Sequence, residues 1–310
     1  MLARVTVVLL NTYREAVRAR ILHGLFALAL ATAGYALVVG AYASRSRMRV
    51  VSDLGAASIS LYAVVVAVVL GATSLYRELE LKTIFPVLAR PLSRTEYLVG
   101  KLLGTVLTLI VFVLANSGAL LLALAILAGR PPLHVVAVVL SVVVAAVAVG
   151  LRLPRLRTYL PIFCAIALAG AGFVLADGAP DDRRVIAGSA ALTVCEVIIV
   201  VSIATLFSAF SSPFLTAVFT LSLFIVGRSA DSLAKLPVRV FGQTLHDLGV
   251  VLSTGVPNLM VYVPPRPLLT GEAAGSDLGS YLALSAGQAV LWCVFLLVVA
   301  SVVFKKRDFL

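Results

Sequence analysis

The chain has 310 residues, of which 61% are hydrophobic and only 13% charged, about half the charged share of a soluble domain. That balance excludes a soluble enzyme, and it assigns the net charge of +11 to Lys and Arg gathered in loops on one side of a membrane rather than to a nucleic-acid surface. Cys164, Cys195 and Cys293 all fall in apolar runs, which suits small buried side chains and excludes a disulfide framework.

Residues 2–20 open the chain with an amphipathic stretch. Arg4, Asn11, Arg14, Glu15 and Arg18 share one helical face, and Val5, Leu9, Tyr13 and Ala16 share another. This pattern predicts a helix lying on the inner leaflet. A first span follows at Ile21–Tyr42. Ala41-Tyr42-Ala43 looks like a signal-peptide cleavage site, but the apolar run exceeds the roughly 7–15 residues of a signal core, so the segment is expected to stay. A short loop at 43–54 carries Arg45, Arg47 and Arg49, and Ala56–Tyr76 is the second span.

The longest polar interruption runs from Arg77 to Lys101 and holds eight charges in twenty-five residues. Leu81, Ile84, Phe85 and Leu88 fall on one helical face, which Pro86 interrupts. Ser93-Arg94-Thr95-Glu96 is a capping box, so the third span, about 97–128, is expected to begin at Arg94 while still in water. Gly100 and Gly104 within it have the spacing that lets helices approach closely, or that serves only local packing.

Gly129-Arg130-Pro131-Pro132 breaks the chain. Leu133–Leu151 and Tyr159–Ala176 form a fourth and fifth span around the basic loop Arg152–Arg157. An outer loop, Asp177–Arg184, leads to a sixth span, Val185–Phe210; Ser211-Ser212-Pro213 turns the chain into a short seventh, Phe214–Val226. Residues 227–280 form the largest region outside the membrane. There Phe241, Leu245, Leu248 and Leu252 repeat at helical spacing, and the Pro- and Gly-rich Val256–Gly275 leads to the last span, Tyr281–Phe304. Interfacial or re-entrant helices on the outer face are expected there. With the N-terminus inside, the inner segments hold fifteen Lys/Arg and five acids, and the outer segments ten and eight. The Lys/Arg bias favours both termini inside, although the Arg45–Arg49 loop runs against it.

No G-x-x-x-x-G-K-[ST] motif exists, since Gly100-Lys101 is followed by Leu102, so any ATP must be bound by another chain. His23, His134 and His246 are scattered and offer no metal-ligand spacing. One acid, Glu196, lies inside a span, where such residues often mark a pathway or pair with a neighbouring helix. Asn116 and Ser117, midway along the third span, could pair with it, with each other, or serve as helix contacts.

Several pieces together resemble the permease subunits of ABC-2 type transporters, in particular the copper-processing and gliding-type branch. They are Glu78-Leu79-Glu80, Leu88-Ala89-Arg90-Pro91-Leu92-Ser93-Arg94, Gly100-Lys101, Val256-Pro257-Asn258-Leu259 and the ending Phe304-Lys305-Lys306-Arg307-Asp308. Many members have Gly-Thr after the acidic pair, where this chain has Leu81-Lys82-Thr83. The resemblance implies a single all-α transmembrane domain over 1–310. It would have a six-helix core, an inserted hairpin at 131–180, about eight spans in all, and a cytoplasmic coupling segment at 77–98. It further implies a multi-pass transport subunit of the cell membrane, an exporter without cofactor, metal or catalytic residue of its own. Its partners would be an ATP-binding subunit, docked through Glu78, Glu80, Arg90, Pro91, Ser93 and Arg94, a second permease copy or a related permease, and membrane lipids. An ion-coupled carrier or channel using Glu196 is the alternative from a different class, and a membrane scaffold is a third; neither needs an ATPase, and internal repeats, which would mark a carrier, are not found. Glu196 and Asn116 form a possible intramembrane polar site.

Overall fold

A computed structural model describes residues 2–43, 46–80, 93–235, 238–272 and 277–306; side chains at 2, 20, 21, 75–80, 238–241, 245, 305 and 306 lie outside that description. Every regular element among the described residues is helical. In chain order these are α1 (Leu2–Arg18), α2 (Arg20–Tyr42), α3 (Arg47–Glu80), α4 (Arg94–Leu127), α5 (Pro132–Arg152), a 3-10 turn (Pro154–Tyr159), α6 (Leu160–Leu175) and α7 (Pro180–Ser208). They continue as α8 (Pro213–Arg228), α9 (Ala230–Ala234), α10 (Val238–Gly255), a 3-10 turn (Met260–Tyr262), α11 (Arg266–Thr270) and α12 (Leu278–Lys306). Among the described residues, seven helical segments are long and apolar enough to cross a membrane, α6 counting with its flanking 3-10 turns as Pro154–Gly178, and the protein is a multi-pass membrane protein.

The core sits where α3, α4 and α7 pack together, with α2, α6, α8 and α12 around them. Its centre is built from Ala63, Ala67, Leu109, Val113, Val197 and Val200, all fully buried. The hairpin expected at 131–180 is present, but its two arms differ. α6 packs against α4, with the Cβ position of Gly118 within 2.7 Å of the Ala169 backbone nitrogen, a closeness only glycine permits. α5 touches mainly α6 and buries only Val135 and Gly150.

The capping box forms as expected. Ser93 Oγ accepts from the Glu96 N–H at 3.2 Å, and the Ser93 N–H donates to Glu96 Oε2 at 2.9 Å. This satisfies two of the unpaired donors at a helix start. It starts α4 at Arg94, and α4 runs for 34 residues, as does α3. At about 51 Å each, both overrun a ~30 Å hydrocarbon core.

Gly100 and Gly104 face α1. Cβ atoms there would lie 2.6 Å from Val8 Cβ and 2.6 Å from the Leu9 carbonyl oxygen. Their spacing therefore serves a close helix approach. The apolar face of α1, expected to rest on lipid, rests on α4 instead, with Tyr13 and Ala16 buried. Burial, with Tyr159 alongside, pushes the Tyr13 hydroxyl up to about 12.

Two expected boundaries move outward. The 43–54 loop is largely helical, because α3 already begins at Arg47, where Arg49 pairs with Asp53 one turn on at 3.7 Å. α7 begins at Pro180, inside the expected 177–184 loop. Pro at a first helical position and Asp181 and Asp182 in the first turn, where acids complement the helix dipole, explain the early start.

The expected seventh span is a correction. α8 has 16 residues, about 24 Å, and does not span by itself. After Arg228 the chain makes an excursion through α9 and α10, the latter broken at Gly242, whose φ of 80° suits glycine alone. It returns where the Leu259 N–H donates to the Gly227 carbonyl at 3.0 Å. The segment from Leu259 to α11 then completes the crossing that α8 begins, so this crossing is discontinuous.

Candidate functional site

The broken crossing leaves space beside α3 and α7. A half-open cavity of about 350 Å³ lies there, lined on α3 by Asp53, Ala57, Ser60 and Val64, on α7 by Val185, Ser189 and Thr193, at the end of α8 by Arg228, and on the returning segment by Tyr262 and Arg266. Asp53 and Ser60 are seven residues apart on α3, so the cavity reaches about 10 Å along that helix.

Its mouth is held by Arg266. The guanidinium of this α11 residue donates to Asp182 Oδ1 at 2.5 Å, to Ser52 Oγ at 3.2 Å, and to Asp53. Ser52 Oγ in turn donates to Asp182 Oδ1 at 2.7 Å. One side chain thus ties α11 to both α3 and α7.

Ser60 and Arg228 of its lining hold Glu196, which is 0% exposed and lies midway along α7. Arg228 Nε approaches Glu196 Oε1 at 3.3 Å, and Ser60 Oγ donates to Oε2 at 3.2 Å. Arg228 Nη2 stands 3.5 Å from both Glu196 Oε2 and Ser60 Oγ. Arg228 ends α8, where a cation also favours the helix dipole. A carboxylate buried this deeply is tolerated because it is paired and hydrogen-bonded. Tyr262 closes one wall. Its hydroxyl donates to the Ser285 carbonyl at 3.2 Å.

The residues expected to carry function are thus divided. Glu196 lies behind the cavity wall, bonded to Ser60 and Arg228, which line it. Asn116 does not join it: its amide donates to the Phe112 carbonyl of its own helix at 2.8 Å, so the pairing of Asn116 with Glu196 is not formed. Ser93 and Arg94 lie at the opposite end of the bundle, where Arg94 Nη1 donates to the Phe304 carbonyl at 3.3 Å. Glu78 and Glu80 belong to the last turn of α3, with side chains outside the described residues; Arg90, Pro91, the Leu81–Leu88 face and Pro86 also lie outside them.

Sequence reasoning missed Ser60, Arg228, Arg266 and Asp182. A signal for Arg228 was present: it follows an apolar helix too short to span, which sets it at membrane depth rather than in an outer loop. No such signal marks Arg266. Among the described residues no cluster of His, Cys, Asp and Glu could hold a metal ion. No family model matches the chain, and comparison with curated proteins finds no match.

Proposed function

We propose that the chain is the membrane-spanning subunit of an ABC-2 type transporter, which exports or extracts a substrate with ATP hydrolysed by a separate subunit. The observation that carries this reading is the pair of 34-residue helices, α3 and α4. They pack together, are longer than a ~30 Å hydrocarbon core, and their ends supply most of the charges of the polar stretch Arg77–Lys101. Two rigid helices running out of the membrane on either side of a charged segment are what a docked motor subunit would need to push on. The motif resemblance in Glu78–Arg94, the capping box at Ser93 and the Lys/Arg bias toward that side support the same reading, with both termini cytoplasmic. The cavity between α3, α7 and Arg266 would then be the outward-facing part of the path.

The test is to place a photo-crosslinking amino acid at Glu80 or Arg90 and irradiate native membranes. An adduct with a Walker-motif ATPase is expected. In co-reconstituted vesicles, Glu78→Ala, Glu80→Ala or Arg94→Ala should weaken its binding or its transport-coupled hydrolysis. Loss of a desolvated charge partner costs about 2–5 kcal/mol, so at least one of the three should fall tenfold or more. No ATPase adduct, with all three variants behaving like wild type, overturns the reading.

The open cavity, whose lining residues Ser60 and Arg228 hold Glu196, favours one second reading, an ion-coupled carrier. It requires gradient-driven uptake in vesicles that lack any ATPase, and abolition of that uptake by Glu196→Gln.

A further inference from the structure

A second cavity lies at the other end of the bundle, and its chemistry differs. It encloses about 300 Å³ between α2, α4 and α6. Phe26, Val111, Phe112, Ala115 and Leu168 supply its walls. Its polar members are satisfied within their own helices: Thr108 Oγ1 donates to the Gly104 carbonyl at 3.0 Å, and His23 Nδ1 lies 3.1 Å from the Ala19 carbonyl. Such walls give water no set of partners and suit an apolar guest.

The groove ends at Val17 of α1 and Pro161 of α6, next to a clamp between α1 and the turn before α6. Tyr13 and Tyr159 stack with centroids 6.4 Å apart and planes 5° from parallel. Arg14 Nη2 donates to the Tyr159 hydroxyl at 2.5 Å, with the guanidinium 5.2 Å from the ring centroid. Arg14, Arg18, Arg155 and Arg157, all exposed, lie on the two segments that the clamp joins, each within five residues of Tyr13 or Tyr159 along the chain. Arg157 uses Nε on the Gly150 carbonyl, 2.8 Å away. Glu15, the acid among them, is directed to Lys101 at 3.9 Å.

We propose that this groove binds one acyl chain of an anionic phospholipid from the leaflet on the N-terminal side, with the phosphate headgroup held by the rim of Arg14, Arg18, Arg155 and Arg157. An apolar slot beneath a cluster of cations at the membrane surface matches both halves of such a lipid. A neutral lipid would use the slot alone, and a soluble phosphate the rim alone. The site is independent of the transport reading.

The test uses phosphatidylglycerol with a diazirine midway along one acyl chain, mixed into phosphatidylcholine vesicles holding the full-length protein. After irradiation, label should concentrate on residues 108–115 and 161–168. It should exceed the label on the lipid-exposed stretch 136–147 of α5, and that from the same probe on phosphatidylcholine, by at least about fivefold, the effect of one surface arginine on an anionic lipid. Arg14→Gln with Arg18→Gln should lower the phosphatidylglycerol signal more than about tenfold. Arg155→Gln, which leaves the tyrosine clamp intact, should lower it about fivefold. Ala115→Phe, which fills the slot, should remove label from both lipids. Equal labelling from the two headgroups, even labelling of the groove and α5, or indifference to both sets of arginine variants overturns the proposal.

Discussion

At the far end of the bundle most cations meet carboxylates, Arg266 with Asp53 and Asp182, Arg130 with Asp177 at 2.7 Å, and, deeper, Arg228 with Glu196, while Arg183 and Arg184 donate to the Phe173 and Thr270 carbonyls. At the N-terminal end the same residue types meet mostly carbonyl oxygens: Arg94 that of Phe304, Lys101 that of Ser74 at 2.9 Å, and Arg157 that of Gly150. The cause lies in the inventory, since the N-terminal-side segments hold fifteen Lys/Arg against five acids and the far-side segments ten against eight. Where acids are plentiful, charge ties one helix to another. Where they are scarce, cations cap helix carbonyls. Close packing then holds the N-terminal end together, as at Gly100 and Gly104, and its net positive charge suits an anionic lipid or protein surface.

The sharpest way to break this contrast is at Glu196. Glu196→Ala leaves Arg228 without its carboxylate and should cost about 3–5 kcal/mol, read as a lowered unfolding midpoint in detergent. The double variant Glu196→Leu with Arg228→Leu should recover most of that loss. If the single variant costs under about 1 kcal/mol, the far end is not held by its buried pair. A smaller effect is expected at the N-terminal end from Gly104→Val, whose side chain would meet the Leu9 carbonyl. Overpacking of this kind costs about 1–3 kcal/mol, and α1 should become cleavable by protease while the far end keeps its protection. Wild-type protection of α1 would show that close approach does not hold it. The smallest effect is expected from Ser93→Ala, about 1 kcal/mol. It should show as faster amide exchange in the first turn of α4, and unchanged exchange there would remove the cap from the account.

The sequence made legible what depends on neighbours. Ser93 and Glu96 are three residues apart, so their reciprocal bonds follow from helix geometry. The faces of α1 and the spacing of Gly100 and Gly104 likewise follow from a period of 3.6, although only the fold shows that the two meet. What depends on tertiary contact was hidden. Residues 46–54 look like a loop by composition, yet Asp53 and Ser52 are held in helix by Arg266 and Asp182, which lie far along the chain. Glu196 was visible as an anomaly, but its partners come from α3 and from the end of a helix too short to span.

The length of α3 has a mechanical consequence. Its last turn ends at Glu80, beside the charged segment, and its other end carries Ser60 in the lining of the cavity and Asp53 at its mouth. A rod of about 51 Å tilted by about 5° at one end moves the other by about 4 Å, more than the ~3 Å length of a hydrogen bond. A push on Glu80 would therefore pull Asp53 away from Arg266 with no chain of residues passing a signal between them. On the proposed reading, the helix would act as a lever arm and Arg266 as the catch it releases.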